Sequence, residues 1–183
     1  MRLLSWILVT LAIASCTPPE STVSSNSLGF ISLDSIVNGQ QPYLLGKKIN
    51  KYIQIGDQTE VQALLIDSVF FDKEWSFLSS FDLNKPRFVG GIESIKTQQT
   101  VRYQPKTGQN YLLDYLEFQF DRANQLVQVT GAFSDEQAKS IYASAREFSL
   151  KFENGKIQSY RVSGYQKIIM KDTVHFEIVG RVE

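Results

Sequence analysis

Thr59-Glu60-Val61-Gln62-Ala63-Leu64-Leu65-Ile66-Asp67-Ser68-Val69-Phe70-Phe71-Asp72-Lys73-Glu74-Trp75-Ser76-Phe77-Leu78-Ser79-Ser80-Phe81 is the stretch whose reading sets the architecture. It opens with the form of a capping box, Thr59 at the N-cap and Gln62 three residues later. At about 100° per residue, Val61, Leu64, Leu65, Trp75 and Leu78 fall on one side of a helix. Ile66, Phe70, Phe77 and Phe81 gather on the other. The spacing predicts one long helix over 59–81 with two apolar faces. Such a helix is sandwiched inside the protein or presents one face to a partner. Internal burial is the favoured expectation, because large exposed apolar patches are uncommon on monomers. Ile66, Phe70, Phe77 and Phe81 make the candidate partner or ligand face.

On the C-terminal side, Asn84-Lys85-Pro86 closes the helix and Gly90-Gly91 marks a turn, after which the apolar period becomes two. Thr100 to Tyr103 reads as a strand, followed by the turn Pro105-Lys106-Thr107-Gly108. Leu116, Phe118 and Phe120 alternate with polar residues, and Asp121-Arg122-Ala123-Asn124 turns into a partner strand from Leu126 to Phe133. Ser134-Asp135-Glu136-Gln137 repeats the capping-box form and predicts a short helix over 135–145, with a loop as the alternative. Phe148, Leu150 and Phe152 alternate up to Asn154-Gly155, the strongest short hairpin signal. Ile157 to Val162 returns, Gly164 suggests a bulge, and Gln166 to Met170 continues. Lys171-Asp172 then turns into a last strand carrying Val174, Phe176, Ile178 and Val182.

Upstream of the helix, Phe30 to Val37 allows one or two helical turns, and Lys47 to Ile55 a short edge strand. Helices grouped before strands predict an α+β class. The expected architecture is an N-terminal helical region with one long helix packed on an antiparallel meander of about five or six strands.

The chain begins with a positive Arg2, an apolar run from Leu3 to Ile13, and small residues at Ala14 and Ser15. That run falls short of the ~20 residues a transmembrane helix needs, so it reads as a cleaved signal over 1–15. Ile13-Ala14-Ser15-Cys16 resembles the lipobox of bacterial lipoproteins, and Cys16 is the chain's one cysteine. The resemblance covers the first 16 of 183 residues. It implies a diacylglyceryl thioether on Cys16, cleavage just before it, and acylation, such as with palmitate, of the new amine. Two or more chains anchor a protein stably where one does not. Residues 16–27, rich in Pro and Ser, then form a polar tether, and 28–183 a single globular domain. In the sorting pattern of enteric bacteria, Thr17 in place of aspartate implies the outer membrane, facing the periplasm.

The 19 basic and 19 acidic residues balance, and no basic run stands out, so nucleic acid has no electrostatic footprint. One cysteine excludes intramolecular disulfides, and with one histidine a closed zinc site has no ligand set. No calcium loop or P-loop spacing is present. His175 lies between Val174 and Phe176 and reads as an exposed strand histidine, since no G-x-S-x-G elbow surrounds a serine. No catalytic residue, metal or cofactor is therefore expected. Asp67, Asp72, Glu74, Asp82, Asp114 and Glu117 are the remaining route to an enzyme, through a pair of convergent carboxylates. Tyr103, Tyr111, Tyr115, Tyr142, Tyr160 and Tyr165 recur through the sheet region, either as strand formers or as stacking platforms.

The leading expectation is a non-enzymatic, membrane-tethered module of the cell envelope that binds a protein or envelope component. The alternative is a carrier of a hydrophobic ligand. A long helix on an antiparallel sheet is similar in outline, though in no sequence motif, to the lipoprotein-localisation factors of Gram-negative bacteria. Those are incomplete barrels that hold acyl chains. A carrier implies an apolar cavity, whereas a docking module implies a filled core. A carboxylate-dependent hydrolase stands third, and requires two carboxylates in one cleft.

Overall fold

The computed structural model describes residues 29–135 and 141–183. The expected signal over 1–15, Cys16 and the expected tether lie outside them, as do residues 136–140 of the helix expected over 135–145. Among the described residues are nine strands: β1 Lys48–Ile55, β2 Gln58–Leu65, β3 Ile92–Lys96, β4 Thr100–Pro105, β5 Leu113–Phe120, β6 Leu126–Asp135, β7 Tyr142–Glu153, β8 Lys156–Ile168 and β9 Val174–Val182. They form one antiparallel sheet in the order β2-β1-β9-β8-β7-β6-β5-β4-β3. The last seven strands are a meander. The β1-β2 hairpin attaches to its far end, so β2 and β3 are the two edges.

The expected α+β architecture, one long helix packed on about five or six strands, is wrong: the fold is mostly the nine-stranded antiparallel sheet, with short helices only. The first half of 59–81 is β2, paired residue for residue with β1 from Gln58–Ile55 to Leu65–Lys48. The two-residue loop Gly56-Asp57 joins them, with Gly56 at φ +56°. Val61, Leu64 and Leu65 have helical spacing by coincidence, and Val61 and Leu65 are exposed on the edge strand. Lys48–Ile55 is not an edge strand, because β2 covers its free side. The helix itself, α3, runs only from Ser68 to Trp75. Asp67 caps it, its carboxylate accepting from the Phe70 amide at 2.7 Å, so Thr59 has no helix to start. Beyond Trp75 the chain tightens into a 3-10 helix, Ser76–Phe81. The Ser76 hydroxyl donates to the Lys73 carbonyl at 2.9 Å and that of Ser80 to the Phe77 carbonyl at 2.7 Å, bonds that compete with the α ladder.

Two short helices precede the sheet, α1 Leu33–Asn38, capped by Ser32, and α2 Gln41–Leu44. The short helix predicted over 135–145 is also corrected at both ends: Asp135 closes β6, and Tyr142 opens β7. Asn154 and Gly155 sit at φ +50° and +73° between β7 and β8. The bulge suggested at Gly164 is absent there. The register slips instead between Lys151 and Phe152, leaving Gln158 without an opposite residue.

All the helical pieces cover one face of the sheet. The segment from Ile66 to Gly91 joins one edge strand to the other and crosses the inner face on the way. Trp75 meets Tyr160 of β8 (ring centroids 4.9 Å apart), Phe81 meets Phe148 of β7 at 4.5 Å and Phe133 of β6 at 5.9 Å. Farther on, Phe88 meets Tyr111 at 5.2 Å, and Phe30 packs on Tyr103 of β4 at 5.1 Å. These edge-on aromatic pairs are the favourable geometry for π systems. The core is thus a single layer of side chains between sheet and crossing segment, and fully buried Leu33, Leu44, Ile49, Leu116, Phe118 and Leu150 belong to it.

The outer face is polar. Arg102 pairs with Glu117 at 3.3 Å and stacks on Tyr115, Tyr115 donates to Glu147 at 2.9 Å, and Arg161 pairs with Glu177 at 2.7 Å. Alternation along each strand sends these side chains to solvent and their neighbours to the core. No helix among the described residues is long and apolar enough to cross a membrane.

Candidate functional site

Register places the inner-face residues of β7, β8, β9 and β1 in transverse rows. Leu150, Tyr160, Gly180 and Lys51 make one row; Phe148, Val162, Ile178 and Ile53 the next; Arg146, Gly164, Phe176 and Ile55 the third. A cavity of about 460 Å³ lies over these rows, roofed by Lys73, Glu74 and Phe77 from α3 and the turn after it. That volume is within the ~300–1,000 Å³ range of small-molecule sites. Its walls are apolar: Ile55, Phe77, Val162, Phe176 and Ile178.

The buried end holds a polar cluster. Lys51 Nζ lies 2.8 Å from one Glu74 oxygen, and the Tyr160 hydroxyl donates to the other. The Lys51 and Glu74 side chains are only 11% and 13% exposed. Both carboxylate oxygens are therefore engaged, which a buried charge requires. Burial, then the Glu74 charge and the hydrogen bond to it, push the Tyr160 hydroxyl far above its ordinary range, so it remains a donor. Trp75 stands edge-on to the same ring.

Two glycines shape this floor. A Cβ on Gly180 would lie 2.1 Å from the Tyr160 ring, and one on Gly164 would lie 2.1 Å from the Ala145 carbonyl oxygen and 3.0 Å from the Phe176 ring. Each glycine stands directly opposite the aromatic residue it accommodates. Tyr160 can lie down on the sheet and reach Glu74 only because Gly180 has no side chain.

The open end differs. Lys73, Arg146 and Gln166 stand exposed beside Ile55 and Val174. Beyond it stand Ile168, the last residue of β8, and Ile169 and Met170 of the β8–β9 turn, Met170 99% exposed and at φ +62°.

Of the four residues singled out as a partner or ligand face, Phe77 alone lines the cavity. It is half-buried, edge-on to Phe148. Phe70 is half-buried with Lys51 Nζ 5.6 Å from its ring centroid. Ile66 is fully buried ahead of the helix, and Phe81 is buried between Phe133 and Phe148. The carboxylates do not converge on the cavity. Asp67 is a helix cap, Asp114 accepts from Ser134 at 2.7 Å, Glu117 pairs with Arg102, and Asp72 is exposed. Asp82 sits near Asp34, whose carboxyl is pushed up by burial and then by the Asp82 charge. Glu74 is the one acid lining the cavity. His175 is on the outer face against the Tyr165 ring, 6.0 Å between centroids, and no group of three metal-ligating side chains occurs among the described residues. Of the tyrosines, Tyr103 and Tyr160 are core residues, whereas Tyr115 belongs to the outer face.

Lys51, Arg146, Val162, Phe176 and Ile178 carry no motif in the sequence. The β7-β8-β9 hairpins bring the last four together, and the pairing of β1 with β9, 120 and more residues apart, adds Lys51. No known protein family, curated protein or solved structure matches the chain.

Proposed function

We propose that this chain is a lipid-anchored, non-enzymatic binding module of the cell envelope, tethered through Cys16, that holds the apolar part of a ligand in the inner-face cavity. The observation that carries this reading is the cavity itself. A sheet built only to pack would be filled over Phe176 and Ile178, as it is at the Leu116 and Val129 positions. The carboxylates serve caps and ion pairs, which argues for binding and against hydrolysis. No cofactor, metal or nucleic acid enters the proposal. The outer membrane, facing the periplasm, is the proposed location.

The test uses the full chain and a neutral, environment-sensitive apolar dye. Ile178→Trp should fill the cavity, leave the fold intact, and abolish the dye's fluorescence gain. Unchanged dye binding by a folded Ile178→Trp variant would overturn the reading. For the anchor, Cys16→Ser is expected to remove palmitate-analogue labelling and membrane fractionation. Retention of both would refute it.

A second reading, docking of an envelope protein, is favoured by the exposed Ile168 at the end of β8 and Ile169 and Met170 of the turn after it. Cross-linking from that turn in intact cells would yield a discrete protein adduct if it holds, and none if it does not.

A further inference from the structure

We infer that the ligand of this cavity is an amphiphile with an anionic head group, its apolar part on Phe77, Phe176 and Ile178 and its head at Lys73 and Arg146. The inference rests on reading the cavity as the binding site, and adds which class of molecule fits it. Four charged side chains line the space, three cationic and one anionic. At the buried end Lys51 and Glu74 cancel, and Tyr160 occupies the remaining carboxylate oxygen, so that end offers a ligand no free charge. A charged group pushed to that depth would meet a closed, neutral cluster and lose its hydration.

Lys73 and Arg146 are different. Neither has an ion pair or side-chain hydrogen bond among the described residues, and both are exposed on the rim of an otherwise apolar space. They come from opposite walls. Lys73 is on α3, in the roof, and Arg146 is on β7, in the floor beside Gly164 and Phe176. An anion between them gains attraction from both, and the guanidinium can hold a carboxylate or phosphate through two parallel hydrogen bonds. A cationic head would be repelled by the same pair, and a neutral head gains little. The apolar tail then runs from this rim across the Phe176 and Ile178 rows.

Two exposed charge pairs of ordinary strength amount to about a tenfold preference for an anionic over a neutral head. The preference should shrink with added salt, whereas tail burial should not. The probes are a fluorescent fatty acid, ionised at neutral pH, and the alcohol with the same tail. Both are titrated against the full chain carrying Cys16→Ser, so that no acyl chain of its own competes. The expected result is an acid bound about tenfold tighter than the alcohol. Lys73→Gln with Arg146→Gln should erase that difference, bringing the acid's affinity to that of the alcohol on the same variant; both positions are exposed, so the fold is not at risk. Equal binding of acid and alcohol to the unsubstituted rim, or a preference that survives the double substitution, overturns the anionic head while the cavity reading stands. Binding of neither probe refutes the cavity reading and this inference with it.

Discussion

Gly180→Ala should destabilise the protein through one contact, and Tyr160→Leu should cancel the effect. Gly180 does not occupy the left-handed region, so alanine meets no backbone strain there. The obstacle is steric: its Cβ would sit 2.1 Å from Cε1 and 2.5 Å from Cζ of Tyr160. The ring cannot swing clear. It is 2% exposed, flanked by Trp75, and held at its hydroxyl by Glu74. Overpacking of this kind costs about 1–3 kcal/mol. In a Tyr160→Leu background the ring is gone, and alanine should instead gain the roughly 0.5–1 kcal/mol by which it outperforms glycine in a strand. Tyr160→Leu alone also strips Glu74 of a donor, at about 1.5–3 kcal/mol, but that term appears in both legs of the cycle and drops out. The coupling between the two positions is therefore about 1.5–4 kcal/mol. Urea unfolding of the full chain, wild type, two single variants and the double variant, measures it from midpoints at constant slope. Additivity within about 0.5 kcal/mol would refute the claim that Gly180 exists to let Tyr160 lie flat.

Gly155→Ala is expected to cost about 1–2 kcal/mol, because φ is +73° and nothing lies within 4 Å of the new Cβ, so backbone strain acts alone. An unchanged melting temperature would place the turn elsewhere. Phe77→Ala should cost only about 1–2 kcal/mol, less than the ~3–5 of a fully buried phenylalanine, and should weaken dye binding severalfold. A loss at the fully buried level, measured by thermal unfolding, would show that the ring is core and not cavity wall. For Asp34, burial and then the Asp82 charge raise the folded carboxyl above its unfolded value. The folded state then binds protons more readily, so this group opposes folding as pH rises through the raised value, and not below the ordinary carboxylate range. Asp34→Asn should accordingly raise the melting temperature at neutral pH and leave it unchanged in strong acid. A fall at neutral pH would contradict that sign.

The C-terminal hairpins were legible because side-chain period and turn chemistry agree. Phe148, Leu150 and Phe152 alternate, Asn154-Gly155 permits two positive φ angles, and Tyr160 and Val162 return in register. The N-terminal hairpin was misread because two signals conflicted. Val61, Leu64 and Leu65 have helical spacing, and Thr59 with Gln62 imitates a capping box. Gly56-Asp57, a two-residue hairpin loop, was present three residues before and carried the correct reading. Edge strand β2 has little apolar alternation to betray it, since it buries almost nothing on either face. The same holds for β3, where only Ile92 is buried. Asp67, the true helix cap, sits inside the apolar run, where nothing in the local pattern sets it apart from the other candidate carboxylates.

The cavity was illegible for a different reason. Its polar end joins Lys51, Glu74 and Tyr160, and each of these has an innocent local reading: a strand lysine, a helix glutamate, a strand tyrosine. Their meaning arises only when β1 lies down beside β9 and α3 crosses above, which no local period encodes. Phe77 was singled out for the right residue type but the wrong geometry. As part of a continuous helix it would share a face with Ile66 and Phe81; in the 3-10 turn after Trp75 it turns toward Phe148 and the open floor, while Phe81 goes into the core. The Ser76 and Ser80 hydroxyls bond the Lys73 and Phe77 carbonyls where the chain tightens into that turn. Over the two residues from Trp75 to Phe77, about 120° per residue in place of about 100° advances the Phe77 side chain by about 40° relative to a continuous helix, and over the six residues to Phe81 the difference grows to about 120°, which separates the two rings.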